Sequence, residues 1–398
     1  GIGPSVQPIA TGDVHTNKTD ENRKNGSDFI EVVKSSTGGS HYIEALNVNK
    51  LADLKEDIWI ADAANNVSFK AYDKIDINNE YVYDYKPMLR SDIKNGDPAV
   101  ANASVNYMTA TARIEIDSLN KRLGELRNDQ QENGVWMHYK GGEVKIDEGS
   151  YFRNRYNFYR LGYDNKVEYE SGILTKGFAA HYLNGKSTFD QCSGENKSSG
   201  GSIYGSWNRP EKQDYVDLVL KYSHLKSDFD YRNTFGSIGH GSTSHGAWSA
   251  SAEYGREFSA ENGNFIEPQG QLVYTHINNA NYTTSSGLKV NQDDVNSVIG
   301  RVGVRVGHRF EENSNNDIYL KADFLHEFAG DRNITVRGKD TVLGDKRDGK
   351  DSWINYGIGT NVQLSEDNNS RFYLDLEKSS GGDINTNWQV NAGLRWEW

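Results

Sequence analysis

The chain has 398 residues, of which 44 are basic and 56 acidic, so its formal net charge is −12. Its 35% apolar and 11% aromatic content is too high for a disordered chain, and the acidic balance argues against nucleic acid as a partner. No window approaches the run of about 20 apolar residues that a membrane helix needs, which excludes a helical membrane protein. A transmembrane β-barrel remains open, because its strands need only about 9 to 11 alternating residues.

The first hundred residues form a region of their own, which we expect to be a small soluble β element. Short runs typical of strands, at 29–33, 57–60 and 81–85, lie among polar turns. Residues 1–26 lack the charged start, apolar stretch and cleavage site of a signal peptide, so we expect a mature or truncated piece.

The single cysteine, Cys192, excludes a disulfide framework and a thiolate metal cluster. We expect it to be an accidental free thiol in a long external loop.

Residues 102–129 predict a helix. They contain no glycine or proline before Gly124, and apolar side chains recur three or four residues apart. The stretch of about 22 residues before Gly124 would form a helix about 33 Å long at a rise of roughly 1.5 Å per residue, which is close to the thickness of the hydrocarbon layer of a membrane. The same pattern fits a helix packed on the surface of a domain, and that interpretation is preferred if the rest of the chain does not form a barrel. The apolar stripe consists of Met108, Ala112, Ile116, Leu119, Leu123 and Leu126.

The rest of the chain predicts twelve strands. In the clearest, 387–398, every second side chain from Trp388 to Trp398 is apolar and those between are polar or glycine, which is the periodicity of a strand. Most candidates have ten residues or more, which suits a tilted membrane crossing better than the five or six residues of a soluble strand. They begin near residues 134, 157, 172, 202, 214, 247, 265, 297, 317, 353, 371 and 387.

The connections between these strands alternate in length, as they do between the short periplasmic turns and long outer loops of outer-membrane barrels. An even strand number also closes the sheet without an edge. The predicted fold class is therefore all-β: a twelve-stranded antiparallel transmembrane β-barrel with an α-helix in the lumen, preceded by a small soluble β element. The brief joins lie near 164–166, 209–212, 259–263, 311–316 and 365–369, and the longer ones near 184–200, 225–246, 278–296 and 330–350.

Inside such a barrel the helix would find polar partners for its charged residues. Glycines on the inner strand faces would make room for it. The charged residues are Arg113, Glu115, Asp117, Lys121, Arg122 and Arg127, and the glycines are Gly303, Gly307, Gly357 and Gly359.

The lumen wall is predicted to carry charges of both signs. Three arginines lie four residues apart on one strand face and form a basic ladder. We expect this ladder to pair with Glu115, Asp117 or other wall carboxylates, because uncompensated charges there would be costly; guiding a polar polypeptide is the alternative role. The predicted wall residues are Asp217, Arg301, Arg305, Arg309 and Asp323.

The sequence gives little support for an enzyme active site. His308 and His326-Glu327 lack the spacing of an HExxH motif and a His/Cys cluster, so we interpret them as lone polar histidines. Residues 236–239 and 241–244 lack the Gly-x-Ser-x-Gly pattern of a nucleophile elbow and are typical of a flexible loop. We therefore expect no enzyme activity, no metal and no cofactor.

Two motifs resemble those of a known family. Residues 115–127, Glu-Ile-Asp-Ser-Leu-Asn-Lys-Arg-Leu-Gly-Glu-Leu-Arg, and 134–142, Gly-Val-Trp-Met-His-Tyr-Lys-Gly-Gly, closely resemble the linker and first strand of monomeric autotransporters (type V secretion). Residues 265–269, the pair Val302-Gly303 and the terminal 394–398 resemble later parts of the same translocator domain. The resemblance covers about residues 100–398.

The same resemblance implies a division of the chain. Residues 1–100, including Ser-Ser-Thr-Gly at 35–38, resemble the end of a β-helical passenger and its junction region. Residues 101–132 would be a linker helix threading the pore, and 133–398 the outer-membrane translocator. The implied pore-helix residues are Glu115, Asp117, Leu119, Asn120, Lys121, Arg122, Leu123, Gly124, Leu126 and Arg127.

The function implied is export of the chain's own N-terminal passenger and its anchoring at the cell surface, with residues 1–100 outside. The implied partners are outer-membrane lipid, the passenger in cis and the barrel assembly machinery, and we expect a monomer. The implied assembly signal is the outward face with Val390, Leu394, Trp396 and Trp398, which also suits lipid contact and an aromatic girdle. An outer-membrane porin or barrel enzyme and a soluble β-rich adhesin are the alternatives.

Some members of that family cut the passenger free at an Asn-Asn pair in the helix, with help from wall acids. Here the aligned pair is Asp117-Ser118, and an ionised carboxylate is a poor intramolecular nucleophile. Asn154 stands where the family has an acid, although Asp217 matches an inward acidic position. We therefore expect no self-cleavage and a helix that stays attached as a plug, with Asp217 paired to an inward arginine.

Overall fold

The computed structural model describes most of the barrel and short parts of the region before it. The described residues are six short strands within 15–86, then 109–115, 132–146, 152–189, 192–232, 238–285, 287–310, 316–337, 342–365, 367 and 370–398.

Six short strands precede the barrel, and they form two three-stranded antiparallel sheets, β1-β2-β3 and β4-β5-β6. Each of the three runs predicted from the sequence overlaps one of these strands. The six strands are β1 His15–Thr16, β2 Phe29–Lys34, β3 Ser40–Glu44, β4 Ile58–Asp62, β5 Val67–Ile77 and β6 Glu80–Lys86.

In the part of the chain that the structure describes, twelve long antiparallel strands form a closed barrel. Strands that follow each other around the barrel pair with each other, and the last, β23, pairs with the first, β7. The short β13, Phe258–Ser259, continues the hairpin between β12 and β14. The twelve strands are β7 Asn133–Ile146, β8 Phe152–Tyr169, β9 Gly172–Phe189, β10 Cys192–Arg209, β11 Asp214–Arg232, β12 Ile238–Arg256, β14 Asn264–Ile277, β17 Val295–Arg309, β18 Asp317–Glu327, β21 Asp351–Gln363, β22 Ser370–Ser380 and β23 Ile384–Glu397.

The barrel carries apolar side chains on its outer face and polar side chains inside. Phe178 and Leu320 are 59% and 61% exposed on the outside, whereas the carboxylates of Asp164, Glu267 and Asp317 are fully buried. An outer apolar face of this extent is what the hydrocarbon of a bilayer covers. The period-two alternation read from the sequence therefore assigns the apolar set to lipid and the polar set to the lumen.

The predicted strand starts are accurate at one end of the barrel and late at the other. The strands β9, β11, β14, β18 and β22, which begin at the same end of the barrel as β7, start within one residue of the prediction. The strands that begin at the opposite end start two to ten residues earlier than predicted, up to Cys192 against 202. In the hairpins β9–β10 and β11–β12 the strands continue through residues whose outer face is polar, so their ends resemble loops. The loop predicted at 184–200 is wrong for this reason, and Cys192 lies in β10 opposite Phe189. The brief join expected near 164–166 is also strand, since β8 continues to Tyr169.

Two of the long connections fold into a separate sheet. It consists of four antiparallel strands in the order β15-β16-β19-β20, drawn from the connections after β14 and after β18. Val290 and Ile334, on the two central strands, are buried. These connections are therefore folded structure. Their strands are β15 Ala280–Thr283, β16 Lys289–Gln292, β19 Arg332–Arg337 and β20 Val342–Arg347.

The inward glycines were predicted to make room for a helix, but neighbouring strands fill their space. A methyl group at Gly307 would lie 2.6 Å from the ring of Phe265 and 2.5 Å from the carbonyl oxygen of Ile318. Gly359 lies under the ring of Tyr319 on the next strand, and Gly303 under the carboxylate of Asp323. At Gly357 an added methyl would meet the side chain of Glu377 and the backbone of Leu376. The glycines thus serve packing within the wall.

The predicted helix lies mostly outside the described residues. Where residues 102–129 are described, Thr109–Ile114 forms one π-helical turn. Within the described residues, no helix is both long and apolar enough to cross a bilayer.

Candidate functional site

A short segment of the predicted linker, residues 112–115, is buried against the inner face of the barrel. Ala112 and Ile114 are each 1% exposed. The ammonium group of Lys140, on β7, donates to the carbonyl oxygen of Ile114 at 2.6 Å. Lys140 in turn lies 5.6 Å from the ring centre of Phe158 on β8. A backbone contact of this kind fixes the segment without depending on its side chains.

Side chains of β9, β10 and β11 form a binding site for the carboxylate of Glu115. Its two oxygens accept hydrogen bonds from Ser198 Oγ at 2.5 Å and Ser223 Oγ at 2.7 Å. Lys221 Nζ lies 3.1 Å and His181 Nε2 3.7 Å from the carboxylate. Hydroxyl donors and a nearby cation stabilise the ionised form of a carboxylate. The site therefore holds the linker by its charge.

Strand register explains why these wall residues meet. His181 and Ser223 each lie directly opposite Gly200, on either side of β10. Because Gly200 has no side chain, His181 Nε2 and Ser223 Oγ approach to 3.0 Å across it. The arrangement superficially resembles a Ser–His–Glu triad, but Ser223 donates to Glu115 instead of to the imidazole. It is thus an anchoring site.

The neighbouring Arg113 binds a different part of the wall. Its guanidinium lies 3.4 Å from Asp351 and stacks 3.9 Å from the ring centre of Trp353, both on β21. Both ionic side chains are largely buried, at 8% and 7% exposure. Arg113 and Glu115 therefore attach the segment to separate strands of the barrel.

The arginine ladder pairs with carboxylates of the wall itself. Arg301 contacts Glu253 at 2.8 Å and Asp323 at 2.7 Å, so it bridges β12 and β18 from β17. Arg305 lies 3.3 Å from Glu267, and its guanidinium stands 5.1 Å from the ring centre of Phe265.

The third arginine of the ladder, Arg309, lies 3.0 Å from Glu257. For all three arginines the structure thus gives wall carboxylates as partners, whereas Glu115 is held by Lys221, Ser198 and Ser223.

The residues considered for self-cleavage are not brought together within the described part of the chain. Asp217 is buried on the inner face of β11 and accepts a hydrogen bond from Ser206 Oγ at 2.5 Å, and its pairing with an inward arginine stays a prediction. Asn154 is buried on β8. Asp117 and Ser118 lie outside the described residues, as do the predicted pore-helix residues Leu119, Asn120, Lys121, Arg122, Leu123, Gly124, Leu126 and Arg127.

Sequence reasoning missed an ion cluster beside the chain terminus. The guanidinium of Arg395 binds both carboxylate oxygens of Asp164, at 2.5 and 3.0 Å, and also contacts Glu397. Arg371 joins the cluster through Glu397 at 2.8 Å. Gly134, between Asp164 and Glu397 on β7, leaves the space that Arg395 crosses. The inward positions of Arg395 and Glu397 were visible in the alternation, but Asp164 had been placed in a turn.

The predicted assembly-signal residues lie on the outer side of this same end. Leu394, Trp396 and Trp398 are about half exposed, and the rings of the two tryptophans stack with centres 4.9 Å apart. Val390 is partly buried on the same strand. Their position suits lipid contact, and it leaves their recognition by an assembly machinery as a prediction.

The histidines set aside in the sequence lie in ordinary polar contacts. His308 contacts Asn264 at 2.8 Å and His326 contacts Ser352 at 2.5 Å. Among the described residues, no group of three or more His, Cys, Asp or Glu side chains is placed to hold a metal ion.

Comparison with known proteins places this geometry in context. The family model described as "Autotransporter beta-domain" matches residues 135–377. The serine protease EspC of Escherichia coli O127:H6 is 32% identical over 314 residues, which are 75% of this chain and 23% of EspC. The chain thus spans under a quarter of the length of this relative.

The fold is similar to that of solved autotransporter domains. The β domain of the Bordetella autotransporter BrkA has a TM-score of 0.55 and 20% identity, covering 67% of this chain and all of that one. The transport unit of the autotransporter AIDA-I from Escherichia coli has a TM-score of 0.57 and 16% identity, covering 76% and 99%.

The relatives correct one expectation. A protein without enzyme activity was expected, but EspC, Sat and EspP are all named serine proteases. The expectation is therefore wrong for these proteins as wholes. It was drawn from a stretch that corresponds to less than a quarter of their length, and motifs elsewhere in a longer protein leave no trace in such a stretch.

Proposed function

Because the chain belongs to the autotransporter β-domain family, we propose that this outer-membrane translocator barrel exports its own N-terminal passenger and then holds it at the cell surface through residues 112–115. The attachment of those four residues to the wall carries the proposal. Arg113, Ile114 and Glu115 each contact a separate strand or group of strands. A porin needs a water-filled channel, and a segment attached to the inner wall at three points obstructs it.

The proposal assigns a role to each part of the chain. Residues 1–100 are the stalk and junction of the passenger on the cell surface, 101–132 the linker in the pore, and 133–398 the translocator. The partners are outer-membrane lipid, the passenger in cis and the barrel assembly machinery, and the working unit is a monomer.

Display of residues 1–100 on intact cells tests the export role. An epitope inserted among residues 1–26 should be labelled by antibody and removed by external protease without cell lysis. A second epitope in the turn after β10, at 210–213, should stay protected until the cells are lysed. Labelling of both only after lysis would contradict export.

A paired substitution tests the assembly signal. Replacing Trp396 and Trp398 with serine removes the outward aromatic pair, and the amount of folded barrel in the outer membrane should fall while synthesis of the chain is unchanged. The matched control replaces Trp207 and Trp248, on β10 and β12, with serine. An equal loss of folded barrel in both variants would show that Trp396 and Trp398 act only as lipid contacts.

A further inference from the structure

A ring of apolar side chains lines the inner face of the barrel at one level. Its members are inward-facing, buried apolar side chains from eight of the described barrel strands, and they touch one another in a single cluster. We call this ring the apolar collar. It consists of Val144, Tyr156, Phe158, Leu183, Leu225, Ala247, Ile277, Val295 and Ile384.

Strand register places several collar residues side by side, with a polar position on β10. Phe158 lies directly opposite Leu183, and further round Ile277 lies opposite both Ala247 and Val295. The strand between Leu183 and Leu225 contributes Ser198, which is opposite both. The collar therefore follows the hydrogen-bonded ladder from strand to strand.

A second apolar cluster extends the ring on the side where the collar is thinnest. It contains Ile299, Leu325 and Trp353 from β17, β18 and β21. Leu325 and Trp353 are direct cross-strand partners. Together the two clusters line the lumen on ten of the twelve strands.

The linker occupies the collar. Ala112 and Ile114 belong to the same cluster of touching side chains as the wall residues. Between and beside them, Arg113 reaches Asp351 and Glu115 reaches Ser198 and Ser223. The segment thus alternates apolar side chains that touch the collar with charged side chains that bind the wall.

The chemistry of the collar differs from that of the lumen beside it. Arg301, Glu253 and Asp323 provide charges that water and ions can follow. A ring of apolar side chains replaces none of an ion's hydration shell, and such constrictions close by dewetting. Contact with apolar groups is also non-directional, so the collar can close on many sequences as they pass.

We propose that the apolar collar is the ion seal of the pore and that it closes around whatever polypeptide occupies it. The occupant is an extended chain during export and Ala112 with Ile114 at rest. The export half rests on the function proposed above, whereas the resting seal stands on the cluster alone. The permeability barrier then lies at one level of the pore, where residues 112–114 meet the collar.

Single-channel conductance of the refolded 398-residue chain in planar bilayers tests the resting seal. Ile114→Asn places an amide in the collar and should raise the ion leak about tenfold, the change that 1.4 kcal/mol produces. Ile114→Leu keeps an apolar side chain and should leave the leak at the wild-type value. Thr275→Asn, at a polar level of the lumen, adds an amide of the same kind and should also leave it unchanged.

A wall variant guards against displacement of the linker. Leu225→Asn alters the wall side of the collar, keeps the sequence of residues 109–115 unchanged, and should leak like Ile114→Asn. Each variant is first shown to be folded by its heat-modifiable migration on gels, and hydrogen exchange of residues 109–115 shows that the linker stays in place. Conductance of both asparagine variants at the wild-type value would overturn the seal, as would an equal leak in Thr275→Asn.

The same variants separate the seal from the export function. Normal surface display of residues 1–100 together with a leak confined to the collar variants supports both. If even the wild-type chain fails to display residues 1–100 while the leak still follows the collar, export is wrong and the resting seal stands.

Discussion

Two parts of the barrel wall treat buried charge in opposite ways. On β12, β14, β17 and β18, arginines and carboxylates of the wall neutralise each other, as Arg301 does with Glu253 and Asp323. On β9, β10 and β11, Lys221, His181 and two serines contact the carboxylate of Glu115, which belongs to the linker. We call the first the self-paired wall and the second the linker-binding wall.

The difference separates stability from function. A buried charge is costly unless it is paired, so the self-paired wall keeps its charges neutralised whether or not a linker is present. In the linker-binding wall, Lys221 pairs with Glu115, a carboxylate delivered by the segment inside the barrel. Substitutions in the first wall should therefore act on the barrel, and those in the second on retention of the linker.

The largest effect is expected in the self-paired wall. Arg301→Leu leaves the carboxylates of Glu253 and Asp323 without this cation, and breaking a buried pair in this way costs about 3 to 5 kcal/mol. Urea unfolding of the barrel in lipid vesicles measures the loss, while hydrogen exchange at 109–115 should stay as in wild type before unfolding. Linker release without loss of barrel stability would contradict the division into two walls.

A smaller effect of the opposite kind is expected at Glu115. Glu115→Gln removes the charge that Lys221 and the serine hydroxyls bind, and hydrogen bonds to charged groups are worth about 1.5 to 3 kcal/mol. Residues 109–115 should exchange hydrogen roughly ten- to a hundredfold faster, since each 1.4 kcal/mol is a factor of ten. The unfolding midpoint of the barrel should hardly move, and the isosteric Glu143→Gln, outside the site, should leave exchange at 109–115 unchanged.

The self-paired wall also depends on close packing at its glycines. Gly307→Ala forces a methyl group against the ring of Phe265 and the backbone of Ile318, and overpacking of this kind costs about 1 to 3 kcal/mol. Gly270→Ala is the control, because the nearest heavy atom to its methyl would be 4.0 Å away. Equal unfolding midpoints for the two variants would show that the wall adjusts freely.

The smallest effect is expected where an ion pair meets solvent. Arg155 lies 2.7 Å from Glu143, but its side chain is 76% exposed, so its pair is screened by water. Arg155→Ala should cost under about 1 kcal/mol in urea unfolding, because exposed pairs are worth about 0.2 to 1 kcal/mol. A loss equal to that of Arg301→Leu would show that exposure does not separate the two arginines.

Particular elements show how far the sequence predicts the fold. The strands that start after short turns, such as β9 at Gly172 and β11 at Asp214, are located within a residue, because lipid requires an apolar side chain at every second position there. The ends of β9 and β10 escaped prediction, because polar strands that pair only with each other carry no such requirement. The sheet β15-β16-β19-β20 escaped it too, since its strands of four to six residues pair across distant connections.

The candidate site was predictable in its parts but not in its pairing. Arg301, Arg305, Arg309 and Asp323 all point into the lumen, as the alternation indicates. The sequence allowed Glu115 to pair with the arginine ladder, but in the structure the two contact separate walls of the barrel. Alternation gives the face of a side chain and says nothing of which strand will stand opposite.

The sequence by itself determined which strand face contacts lipid and which faces the lumen, the number of membrane-spanning strands and the family. These depend on periodicity and on local motifs. The tertiary structure alone decided that glycines accept wall side chains, that Asp164 reaches Arg395 across Gly134, and that apolar residues from eight strands meet in one ring around Ile114. These contacts join residues far apart in the chain, and the register and closure of the sheet bring them together.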